Sequence, residues 1–67
     1  MTALEAIRSV VDGKRSRGIF PAAALSIEVS RLTGMPLQEV DAAAVQLEVQ
    51  GLISIGKGLN YNYYKLK

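Results

Sequence analysis

The stretch "LTGMPLQEV", residues 32 to 40, constrains the fold of this chain more than any other. Before it, Leu25, Val29 and Leu32 recur at helical spacing and form one stripe. After it, Val40, Ala43, Ala44 and Leu47 fall on one face at about 100° per residue. Gly34 accepts the left-handed conformation in which helices end, and Met35, standing before Pro36, is pushed out of the helical region. One helix cannot run through this corner. A second one starts at once, with Glu39 in its first turn where the helix dipole favours negative charge, and it closes at Gly51 after Gln50.

The other elements follow from similar signals. Thr2 with Glu5 three residues later forms a capping box, and Leu4, Ile7 and Val11 carry a first helix over residues 3 to 12, ended by Gly13. "GKRSRG" then sets Lys14, Arg15 and Arg17 in a loop between two glycines. Two readings of it stand: a solvated connector, or a phosphate-binding loop. Ile19-Phe20 offers a very short strand. Pro21 suits the first position of the second helix, giving residues 21 to 33, with Ser26 as a competing start. The third helix covers residues 37 to 50. Behind it, "GLISIGKGLNYNYYKLK" reads as two strands around a turn at residues 56 to 58, where Gly56 and Gly58 tolerate positive φ and Lys57 projects from the tip. The expected fold class is α+β, three helices and a C-terminal β-hairpin, in a single domain over residues 1 to 67.

Composition narrows function mostly by exclusion. A chain of 67 residues buries only about 60% of its unfolded surface, so its stability is modest and a partner would help it. With 49% apolar residues it nevertheless holds enough for a core. There is no cysteine and no histidine, which removes disulfides, the usual zinc ligand sets and Cys or His nucleophile and base pairs. No catalytic constellation, metal cluster, cofactor motif or small-molecule substrate site is visible, so the chain is not expected to be an enzyme. No apolar run approaches the roughly 18 residues of a membrane span, and a soluble cytoplasmic protein without membrane contact is expected.

Charge is unevenly divided. Residues 1 to 34 carry five bases and three acids; residues 35 to 51 carry no base and the three acids Glu39, Asp41 and Glu48; residues 52 to 67 carry Lys57, Lys65 and Lys67 and no acid. An acidic helix therefore lies between two basic segments, beneath a net charge of only +2.

The run "IEVSRLTGMPLQEVDAAAVQLEVQGLI" resembles the helix-turn-helix of winged helix-turn-helix proteins, and "SIGKGLNYNYYKL" resembles the wing that follows it. The likeness covers about residues 19 to 66. It rests on "LTG" at the corner, Leu47 near the end of the third helix and "GLI" leading into the wing. It implies that the third helix is the counterpart of the DNA-recognition helix and that the wing meets the backbone or a groove, with double-stranded DNA as the partner. Carried onto this chain, the expected DNA-binding residues are Lys57, Lys65, Gln38, Asp41, Ala42, Asn60, Lys14, Arg15 and Arg17.

The third helix departs from that family where DNA would meet it, because its outward face reads Gln38, Asp41, Ala42, Val45 and Val49. Gln38 can read adenine and Asp41 can accept from cytosine, yet carboxylates near phosphates must be offset by bases elsewhere. Val45 and Val49 are either scattered surface residues or, with Ala42, an interface for a second copy or a protein partner. In the wing, strand alternation puts Leu59, Tyr61, Tyr63 and Lys65 on one side and Asn60, Asn62, Tyr64 and Leu66 on the other, with Tyr64 and Leu66 favoured as the inward pair. The tyrosines serve as sheet packing or as stacking platforms beside the lysines.

Overall fold

Thr2 starts the first helix as expected. Its hydroxyl accepts from the Glu5 amide at 3.1 Å, and the Glu5 carboxylate accepts from the Thr2 amide at 2.8 Å. In the computed structural model, which describes all 67 residues, helix α1 spans Ala3–Ser16, strand β1 Ala24–Leu25, helix α2 Ser26–Thr33, helix α3 Leu37–Val49, strand β2 Ile53–Lys57 and strand β3 Asn62–Leu66. The three strands form one antiparallel sheet in the order β1-β3-β2. The protein is thus α+β, with three helices and a three-stranded sheet. No helix is long and apolar enough to cross a membrane.

Four local expectations are corrected. Helix α1 does not stop at Gly13 but runs on to Ser16, so Lys14 and Arg15 lie in its last turn, where the helix dipole favours cations. Gly18, at φ +71°, is the actual stop: its amide donates to Arg15 O at 3.1 Å and the Ile19 amide to Lys14 O at 2.8 Å, the paired bonds of a Schellman end. The expected strand at Ile19-Phe20 is absent, and those side chains are exposed. The second helix takes the competing start at Ser26 instead of Pro21, because Ala24 and Leu25 pair with Tyr64 and Tyr63 as strand β1. Sheet pairing thus overrides the high helix propensity of "AAAL". Leu25 and Leu32 leave the expected core stripe, being 37% and 48% exposed, while Val29 is fully buried.

The hairpin turn also moves. Gly56 is not a turn residue but lies within β2 opposite Tyr63, and an added Cβ there would collide with the Tyr63 ring. The turn runs over residues 58 to 61 and is closed by the Gly58 amide donating to Tyr61 O at 3.1 Å. Neither Gly56 nor Gly58 has positive φ. Close approach to a ring and to a carbonyl is what calls for these two glycines.

The helices cover one face of the sheet. Ile7 and Val11 of α1, Val29 of α2, and Val40 and Ala44 of α3 meet Ala24, Ile53 and Tyr64 in one buried cluster. Tyr64 and Ile53 are among its largest fully buried side chains, so strand alternation sends Asn62, Tyr64 and Leu66 toward the helices and Tyr63 and Lys65 to the opposite face.

Candidate functional site

Helix α3 is joined to the sheet by two of its acids. Asp41 Oδ1 accepts from the Tyr64 hydroxyl at 2.6 Å and from Asn62 Nδ2 at 3.3 Å. Glu48 Oε2 accepts from the Ile55 amide at 3.0 Å, on the edge strand β2. Positions 41 and 48 are seven residues apart and therefore share one flank of the helix, the flank beside the sheet. Burial foremost, then the hydrogen bond to Asp41 and that residue's negative charge, hold the Tyr64 phenol well above its ordinary value, with Ser26 pulling weakly the other way.

This linkage redistributes the residues expected to meet DNA. Asp41 is half-buried and turned to Tyr64 and Asn62, so it leaves the outward row. That row is Gln38, Ala42, Val45 and Val49; all four are exposed, Val45 by 50% and Val49 by 79%. Of the three acids on the helix, only Glu39 has no hydrogen-bond or ion-pair partner. Lys57, the last residue of β2, pairs across the hairpin with Asn62, and Asn62 in turn reaches Asp41, one helical turn beyond Gln38. Lys57 is in this way linked, through Asn62, to the N-terminal half of α3, the half that carries Gln38 and Ala42. Asn60 lies exposed in the adjoining turn.

The remaining basic residues are elsewhere. Lys65 alternates with the buried Tyr64 and so leaves the sheet on the face away from α3. Lys14 is not a free loop cation: its ammonium donates to Ala23 O at 2.7 Å and to Glu28 Oε1 at 2.8 Å, and Glu28 also accepts from the Leu25 amide at 2.9 Å. This node joins the end of α1 to β1 and to the start of α2. Burial acts to raise the Glu28 carboxyl, but the hydrogen bonds from Lys14 and Leu25 and the charges of Lys14 and Arg17 outweigh it and hold the group below its usual range. Arg15 and Arg17 are exposed, the first 4.0 Å from Asp12 and the second donating from Nε to Gly13 O.

Sequence reasoning missed Asn62 and Tyr64 as partners of Asp41, and the Ile55 amide as partner of Glu48. The seven-residue spacing of the two acids was the signal for a shared flank. No family model, curated protein or solved structure matches the chain.

Proposed function

We propose that the chain is a winged helix-turn-helix domain that binds double-stranded DNA in a regulatory, non-catalytic role. Helix α3 is then the groove-facing helix and the β2–β3 hairpin the wing. The reading is supported by the corner at residues 34 to 36 between α2 and α3, and by the hairpin that follows α3 directly. The observation that carries it is the Asp41–Asn62 hydrogen bond, which ties the strand end where Lys57 pairs with Asn62 to the N-terminal half of α3, Lys57 itself making no ion pair. The same bonds turn the Asp41 and Glu48 carboxylates toward the sheet, which takes them out of the outward row of α3. Lys57 supplies phosphate attraction and Gln38 an amide for a base edge. The test is titration against random duplex DNA at several salt concentrations. Affinity that falls steeply with salt supports the reading, and no affinity at low salt removes it.

A second reading has its own observation. Ala42, Val45 and Val49 form an exposed, uncharged row on α3, which suits a second copy or a protein partner laid along the helix. Under it the domain keeps the same scaffold and serves as an interaction module. Self-association that persists without DNA and is lost in Val45→Lys favours this reading.

A further inference from the structure

At the β1 edge of the sheet, beside the end of α1, Pro21, Ala23, Leu25 and Tyr63 combine with Lys14 and Lys65 to form a groove of about 250 Å³. Its walls are held in place. Tyr63 lies across Gly56, where any side chain would displace it, and Ala23 is fixed through its carbonyl by Lys14. Its two cations differ in a useful way. The Lys14 ammonium is oriented by Ala23 O and Glu28 and keeps one of its three N–H donors. The Lys65 ammonium makes no ion pair and lies 5.8 Å from the centroid of the Tyr63 ring. Glu28, the acid nearest this node, is already satisfied by Lys14 and the Leu25 amide, so the groove keeps an excess of positive charge over an apolar floor.

We propose that this groove binds a small amphipathic carboxylate, with its ring or short acyl chain against Pro21, Leu25 and Tyr63 and its carboxylate between Lys14 and Lys65. Charge complementarity selects an anion, and the apolar walls select one with a hydrocarbon body. The volume lies just below the range of about 300–1,000 Å³ usual for drug-sized ligands, which restricts the occupant to about the size of benzoate. The site is independent of the DNA reading, since none of its lining residues belongs to α3 or β2.

The test is an amide NMR titration of the whole chain with benzoate, beside benzyl alcohol as the uncharged analogue and inorganic phosphate as the anion without a hydrocarbon body. Expected are saturable benzoate shifts at Ala23, Leu25, Tyr63 and Lys65, with both comparators much weaker. Lys65→Gln should weaken benzoate about tenfold or more, the factor that goes with losing a charged hydrogen bond, and Lys65→Arg should keep most of the affinity. Lys65 is exposed, and unchanged methyl shifts of Val11 and Val29 verify that the variants fold. Benzyl alcohol or phosphate binding as well as benzoate, shifts centred elsewhere, or a Lys65→Gln protein with undiminished affinity would each overturn the proposal. The three-probe comparison on the wild-type chain decides it without any variant.

Discussion

The Tyr64 hydroxyl donates to Asp41 Oδ1 at 2.6 Å, joining the central strand of the sheet to the middle of α3. Both groups are withdrawn from bulk water, Tyr64 completely and Asp41 for the most part, so the bond is made where an unmet partner is costly. With the bonds from Asn62 to Asp41 and from the Ile55 amide to Glu48, it ties the hairpin to the helix. The position of Lys57 relative to Gln38 depends on it.

Tyr64→Phe should therefore destabilise the domain by about 1–3 kcal/mol, leaving Asp41 with Asn62 alone. For a domain of this size each kcal/mol lowers Tm by roughly 4–8 °C, which calorimetry resolves. The phenol also gives the wild type an alkaline limit. Its folded pKa is raised above the unfolded value of about 10, so the folded state holds the proton longer. That stabilisation is complete below about pH 10 and fades as pH climbs further. Denaturant midpoints measured across this range should decline in the wild type more than in Tyr64→Phe.

Lys14→Met should lower stability by about 1–2 kcal/mol, since it takes the donor from Ala23 O and leaves the Glu28 carboxylate with the Leu25 amide alone. The Glu28 pKa is depressed in the folded state, so its contribution is present above the ordinary carboxylate range and is lost as pH falls through the lowered value. Acid unfolding of Lys14→Met should accordingly show a weaker dependence on pH than that of the wild type. A variant as stable as the wild type would mean that Lys14 is a solvated cation after all.

Gly56→Val should cost about 1–3 kcal/mol, the usual penalty of overpacking, because the new side chain must move the Tyr63 ring off the strand. Tyr63 resonances should shift while those of Ile7 and Val11 on the far side stay in place. Val49→Lys is the contrasting surface change. With Val49 79% exposed, it should alter stability by less than about 0.5 kcal/mol while reducing any self-association seen by light scattering.

What the sequence made legible was whatever had a strong local cause. The Thr2–Glu5 box, the break at Gly34-Met35-Pro36 and the stop at Gly51 each act within a few residues, and the helix ends they set, at Ala3, Thr33, Leu37 and Val49, fall at or within one residue of the expected positions. Alternation puts Tyr64 and Leu66 on one side of the strand, the side favoured as inward, and Tyr64 is fully buried. The failures are tertiary. "AAAL" became a strand because Tyr63 and Tyr64, nearly forty residues later, offered a partner edge. Lys14 left the expected loop because Glu28 and Ala23 O received it. The spacing within α3 alone points Asp41 at the groove, whereas its two donors come from β3.

Duplex affinity of Lys57→Ala and Lys65→Ala, measured against salt beside the wild type, bears most directly on the DNA reading. Lys57 stands at the hairpin tip beside α3, and Lys65 leaves from the opposite face of the sheet. Lys57→Ala should weaken binding and lower the slope of log affinity against log salt by about 1, the loss of one phosphate contact, while Lys65→Ala leaves that slope unchanged. Equal slopes in the wild type and Lys57→Ala, or a loss confined to Lys65→Ala, would contradict the assignment of the hairpin tip and α3 as the DNA-binding end.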